Sequence, residues 1–261
     1  MSDKLLVDLD RRGIATMTLN RPDALNTYDQ EMIEDLGAAI ERLGSDTAVR
    51  VIVLRGKGRL FSAGADVRWH GSRSKPAPGE PEPLSVFDVC DRLRTVAHPS
   101  VAVVHGACIG GALAIASSCD ILIAATNAFF SIPEVRLGFS PGIQSGPTFA
   151  RAIGVRNFRR YAMTGQRLGA EEALRMGLAH HLAAPQDLEQ ALAEQIEEIL
   201  LAAPQAARGA KLMAERLTPP VPMDALKDIA HLFGGPLASP EAEEGRRSFM
   251  EKRKPNWYPK P

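Results

Sequence analysis

Three short runs constrain this chain most: Val49–Leu54, Val101–Val104 and Ile121–Ala124 are almost wholly apolar and carry no polar alternation. A strand without alternation has no face to give to water, so it belongs in a sheet covered on both sides. Helical patterns lie between them, at Leu84–Val96 and Gly110–Ser117. Strand, turn, helix, strand in this order implies right-handed crossovers and a mostly parallel α/β sheet. Ahead of them, Leu5–Leu9 and Ile14–Leu19 flank Arg11-Arg12-Gly13 and predict a β-hairpin. Asn20–Asn26 is turn chemistry. Met32, Ile33, Leu36, Ile40 and Leu43 predict a helix from about Tyr28 to Leu43. Gly71–Pro83, with Pro76, Pro78, Pro81 and Pro83, reads as a mobile surface loop. Past about Ala150 no strand-rich stretch remains. Helical patterns cover Asp187–Ala203, Gln205–Leu217, Ala225–Phe233 and Glu241–Lys252, separated by Pro204, Pro219-Pro220 and Pro236.

Charge and cysteine content exclude several classes. Lys+Arg and Asp+Glu both number 31, whereas a nucleic-acid binder carries a basic excess. Cys90, Cys108 and Cys119 are too scattered for a disulfide framework, and no metal-ligand spacing exists. No apolar run approaches the roughly 20 residues of a membrane span, and the first residues lack the apolar stretch of a secretion signal. The expectation is a soluble, cytoplasmic protein without a metal.

Three segments can carry chemistry. Phe61-Ser62-Ala63-Gly64-Ala65-Asp66 is a small-residue turn after a buried strand. Its amides can face developing negative charge, or it is simply a tight turn. His105–Ala112 contains Gly106, Gly110 and Gly111 and opens a helix. The first N–H groups of a helix lack intrahelical partners, so the glycines serve either an anion or close packing. Ser131–Gly138 presents Glu134 among apolar neighbours after Pro133. A carboxyl in an apolar pocket becomes a general base, whereas a surface glutamate would pair with Arg136.

Together these segments resemble the crotonase superfamily of enoyl-CoA hydratases and isomerases. The resemblance runs through Asn20-Arg21-Pro22 with Ala24-Leu25-Asn26, Ser62–Asp66, Gly110-Gly111, Cys119-Asp120-Ile121, Pro133-Glu134 and Phe249–Lys254. It implies the crotonase fold, a repeated ββα superhelical core with an α-helical trimerisation region. The core with the CoA and catalytic site would span residues 1–200, and the helical oligomerisation region residues 201–261. The resemblance places two oxyanion donors on the N–H groups of Ala65 and Gly111. Ala63, Gly64, Asp66 and Gly110 would shape the substrate site. Phe249 and Lys252 would meet CoA, with Arg59 and Arg68 meeting its phosphates. Acyl-CoA is the implied substrate, no separate cofactor is implied, and the implied assembly is a trimer or a dimer of trimers.

The chain departs from the family's hydratase pattern. Those enzymes use two glutamates, one three residues beyond the glycine pair and one after the Pro-Glu proline. The second is Glu134, but the first falls on Ala114. The aspartate that dienoyl-CoA isomerases carry falls on Gly142. A lone glutamate suits proton shuttling in an enoyl-CoA isomerase. Hydratase, hydrolase, decarboxylase or lyase chemistry, or a CoA-binding protein without turnover, stand as alternatives. His70 is either an acyl-pocket or a surface residue. His105, His180, His181, Trp69, Tyr161 and Cys108 read as structural.

Overall fold

The parallel sheet forms as the apolar runs require. The computed structural model describes residues 2–66, 68–69, 82–142, 146–217 and 239–259. His70, most of the Gly71–Pro83 stretch and the Ala225–Phe233 helix lie outside the described residues. Strands β1 (Leu5–Leu9) and β2 (Ile14–Leu19) make the hairpin, with Leu5 opposite Leu19. Asp10 closes it by accepting the N–H groups of Arg12 and Ile14 at 2.8 and 2.9 Å. β3 (Val51–Gly56), β4 (Ser100–Val104) and β6 (Ile121–Ala125) then add in parallel. Val51, Ile52, Val53 and Leu54 are fully buried, each worth about 1.5–3 kcal/mol relative to exposure.

Two helices cover this sheet where their apolar stripes dictate. α1 (Gln30–Ser45) starts two residues later than its pattern suggests, because Asp29 caps it by accepting the Met32 N–H at 3.1 Å. It buries Met32, Ile33, Leu36, Ile40 and Leu43. α2 (Val86–Thr95) opens with a capping box between Ser85 and Asp88. α3 (Gly111–Ser117) is a short helix whose residues Ala112–Ala116 are all buried. The chain continues through α4 (Gly146–Ile153), α5 (Val155–Thr164), α6 (Ala170–Arg175), α7 (Leu188–Leu201), α8 (Pro204–Leu217) and α9 (Pro240–Met250). Among the described residues no helix is long and apolar enough to cross a membrane.

The absence of strands past Ala150 does not hold. β9 (His181–Ala183) joins the edge of the main sheet, parallel to β6, giving the order β1-β2-β3-β4-β6-β9. A second sheet pairs β5 (Ala107–Ile109), β7 (Phe129–Ser131) and β8 (Leu168–Gly169). Strands of two or three residues show no period in sequence; long-range pairing alone creates them. His180 takes part, its Nδ1 accepting the Leu122 N–H at 3.0 Å.

Asn26 fixes the exit of β3. Leu25 and Asn26 are both left-handed, with φ of 56° and 49°, which brings the Asn26 amide inward. Asn26 is 1% exposed. Its Nδ2 donates to the carbonyls of Lys57, Leu60 and Phe61 at 2.8, 3.0 and 3.1 Å, and its Oδ1 accepts the Arg21 N–H at 2.9 Å. One side chain thus shapes the approach to the small-residue turn. Asn26→Ala leaves buried carbonyls unpaired, and urea unfolding should show a loss of about 2–4 kcal/mol.

Candidate active site

In a trans peptide the N–H points opposite to the C=O that precedes it. Whatever holds a residue's preceding carbonyl therefore aims that residue's amide. In the small-residue turn nearly every N–H is spent. Ser62 donates to the Ala107 carbonyl at 3.0 Å, Ala63 to Leu25 at 3.0 Å, and Asp66 to Tyr28 at 2.8 Å. Gly64 donates to Ser62 Oγ at 3.1 Å, and that hydroxyl donates to the Asn26 carbonyl at 2.7 Å. The Ala65 N–H has no acceptor among the described residues. Its direction follows from the Tyr28 N–H, which donates to the Gly64 carbonyl at 3.0 Å and so turns the Ala65 amide away from Tyr28.

The same logic operates at the start of α3. The Gly110 carbonyl accepts the N–H groups of Leu113 and Ala114 at 3.0 and 3.2 Å, so the Gly111 N–H points out of the helix. Gly110 needs φ of 57° with ψ of −128°, a conformation that essentially only glycine adopts. Its own N–H is taken by the Ser131 carbonyl at 2.9 Å. The Gly111 N–H, like that of Ala65, has no acceptor among the described residues.

The fold brings together the two segments that carry these amides. Ser62 and Cys108 form a parallel bridge, and the Ile109 N–H donates to the Ser62 carbonyl at 3.2 Å. Ala65 and Gly111 each lie three residues beyond that bridge (62 to 65, 108 to 111). The segments approach so closely that a β-carbon on Gly64 would sit 2.8 Å from the Ile109 carbonyl oxygen.

Glu134 reaches this arrangement at Gly110. β7 ends at Ser131, and Pro133 leads into a 3-10 turn over Glu134–Leu137. Oε1 of Glu134 lies 3.3 Å from where a β-carbon of Gly110 would be. Oε2 is buried and has no hydrogen-bond partner among the described residues. Burial raises the Glu134 pKa from its ordinary 4.5 to about 7, with a bond from its own backbone opposing this weakly. Arg136 does not pair with it; that guanidinium donates instead to the Thr164 carbonyl at 2.8 Å. Ala114 is fully buried and Gly142 is exposed, so neither position supplies a second acid.

The remaining expected site residues are less gathered. Asp66 sits in the turn, but its carboxylate accepts the Arg68 N–H at 3.1 Å and meets Arg21 at 3.4 Å, which stabilises the loop. Arg59 and Arg68 are exposed. Phe249 is 65% exposed near the end of α9, and Lys252 is exposed just beyond it. The inner side of α9 packs on the Glu134–Leu137 turn. Buried Glu244 holds the following segment by pairing with Arg253 at 2.6 Å and accepting the Asn256 N–H at 2.8 Å. Cys108 is buried and its thiol is pushed well above the ordinary range by burial. Sequence reading missed Tyr28, Asn26 and Ser62, whose parts depend on partners far along the chain. Only the adjacency of Asn26 to Arg21-Pro22 hinted at its place.

The Glu134 carboxyl leaves a thermodynamic signature. Below about pH 4.5 it is protonated whether the chain is folded or not, and contributes no difference. Between about 4.5 and 7 the unfolded chain ionises first, so stability falls as pH rises, and it levels off above about 7. At about 1.4 kcal/mol per pH unit the full cost is about 3 kcal/mol. Glu134→Gln should therefore be more stable than the wild type at pH 8 by about 2–3 kcal/mol, the gain disappearing near pH 5. Denaturant titration of both proteins across this range checks it.

Comparison with known proteins covers nearly the whole chain. A family described as enoyl-CoA hydratase/isomerase matches residues 10–260. The short-chain-enoyl-CoA hydratase of Clostridium acetobutylicum is 32% identical over 250 residues, covering 95% of each chain. The (E)-benzylidenesuccinyl-CoA hydratase of Thauera aromatica is 33% identical over 249 residues, covering 93% of this chain and 94% of its own. Among solved structures, an enoyl-CoA hydratase from Mycobacterium avium subsp. paratuberculosis superposes with a TM-score of 0.81 at 28% identity, covering 98% of this chain and 99% of that one. An enoyl-CoA hydratase/isomerase from Pseudoalteromonas atlantica gives 0.82 at 25% identity, with 97% and 99% covered.

Proposed function

Because this chain belongs to the enoyl-CoA hydratase/isomerase family and has its crotonase fold, we propose that it moves a proton between carbons of an acyl-CoA thioester. One observation carries this reading: a buried carboxyl whose Oε2 has no partner among the described residues lies against Gly110, next to the unspent Gly111 amide, and the position of a second acid is Ala114. The thioester oxygen accepts the N–H groups of Ala65 and Gly111. On a 3-enoyl-CoA, the Glu134 carboxylate takes a proton from C2. The electron pair delocalises into a dienolate whose oxygen is held by the two amides. Glu134 then returns the proton to C4, giving the 2-enoyl-CoA with no net change in atoms. Losing one such amide typically costs about 3–4 kcal/mol of barrier.

A pKa of about 7 fits both halves of this cycle, since the group must accept and release a proton near neutrality. Hydration has a further need, a group that positions and deprotonates water. The names of the relatives nonetheless favour hydration as the second reading. Acyl-CoA is the substrate on either reading, and the proton transfer needs no separate cofactor. Ala63, Gly64, Asp66 and Gly110 shape the walls. Phe249 and Lys252 receive the CoA moiety, with Arg59 and Arg68 beside its phosphates, in a trimer or a dimer of trimers.

The discriminating assay offers purified protein (E)-3-hexenoyl-CoA and crotonyl-CoA separately. Isomerisation of the first should exceed hydration of the second in kcat/KM. Glu134→Gln should lower the isomerisation by about 10²–10⁴-fold. Efficient hydration with no isomerisation overturns the proposal.

A further inference from the structure

We infer that Tyr28 is the spacer that sets the separation of the two oxygen-binding amides, and is thereby a positioning residue for the reaction. This rests on the assignment of Ala65 and Gly111 as the donors to the thioester oxygen. Tyr28 touches both segments that carry them. Its backbone clamps the first: its N–H donates to the Gly64 carbonyl at 3.0 Å, and its carbonyl accepts the Asp66 N–H at 2.8 Å. Its ring meets the second. A β-carbon on Gly111 would lie 2.0 Å from the Tyr28 hydroxyl, 2.9 Å from Cζ and 3.3 Å from Cε1. The phenol therefore rests directly on the Gly111 Cα.

The ring is held in place. Tyr28 is 7% exposed, and the Trp69 ring stands edge-on against it, with centroids 6.2 Å apart and planes at 70°. A tyrosine has only two side-chain torsions, so a packed ring transmits distance with little give. Backbone on one donor segment and ring tip on the other make Tyr28 a strut between them. Any residue but proline at position 28 keeps the backbone clamp, so a substitution there acts through the contacts of the ring. Two donors must sit about 2.7–3.1 Å from the oxyanion to stabilise it. Mis-spacing weakens the enolate more than the bound substrate, whose CoA contacts lie elsewhere.

The test uses Tyr28→Leu, Gly111→Ala and their combination, with turnover of (E)-3-hexenoyl-CoA and near-ultraviolet absorbance of bound acetoacetyl-CoA enolate as readouts. Tyr28→Leu should lower kcat by about 10–100-fold with KM little changed, and should diminish the enolate band at saturating ligand. Gly111→Ala should lose turnover because its β-carbon strikes the phenol. Adding Tyr28→Leu should recover part of that loss, since the obstructing ring is gone. Tyr28→Phe removes the atom at 2.0 Å but leaves Cζ at 2.9 Å, so it should give a smaller recovery, and it serves if the leucine variant does not fold. An unchanged kcat in Tyr28→Leu, or no recovery in either combination while Gly111→Ala alone is impaired, overturns the spacer and leaves the donors standing. Wild-type turnover in Gly111→Ala likewise overturns the spacer, since alanine keeps the amide N–H and the phenol must then have moved without consequence; absence of the enolate band in the wild type overturns the donor assignment, and the spacer with it.

Discussion

The site depends on peptide planes whose carbonyls are held by other parts of the chain. An amide can stabilise a developing charge only if its N–H is unspent and fixed in direction. In this fold Tyr28 holds the Gly64 carbonyl and the first turn of α3 holds the Gly110 carbonyl. Each grip turns the following N–H outward without using it. Asn26 and Ser62 complete the arrangement by absorbing the carbonyls and the Gly64 N–H that would otherwise compete. On the proposed reading, a thioester oxygen here would meet two donors already oriented, with no reorganisation at the moment of reaction.

The carboxyl is prepared by the opposite device. Where the amides are aimed by their partners, the Glu134 pKa is raised by burial. Burial without a counter-charge brings it to about 7, and the Arg136 that might have neutralised it is engaged by the Thr164 carbonyl. The folded state is weakened by an ionised acid in a dry place, as is common where chemistry outranks stability. The same economy appears at Ala114, where a fully buried methyl lies three residues beyond Gly111. Of the positions where the hydratase pattern places its two glutamates, only 134 carries an acid.

Legibility in the sequence followed the range of the interactions involved. The three apolar runs and the amphipathic α1 announced themselves because burial on two faces, or on one helical stripe, is written locally. Strands β5, β7, β8 and β9 were not legible, since two or three residues carry no period and form only against a partner. Tyr28 illustrates the point within the site. Its apolar character placed it at the head of a helix, but Asp29 caps that helix, leaving Tyr28 extended and bridged to Ala65. The sequence pattern did not show that Asp66 also braces its own turn through Arg21 and the Arg68 amide.

By itself the sequence determined which chemical groups were present: a turn of small residues after a buried strand, a pair of glycines opening a helix, one acid after a proline, and no acid at 114 or 142. It could do so because these are properties of residue type and local spacing. Only the tertiary structure decided which amides of the turn stay unspent, which way they face, and how far the acid's pKa rises. Those depend on hydrogen-bond partners and on excluded water, supplied by segments tens of residues away, and no local pattern encodes them.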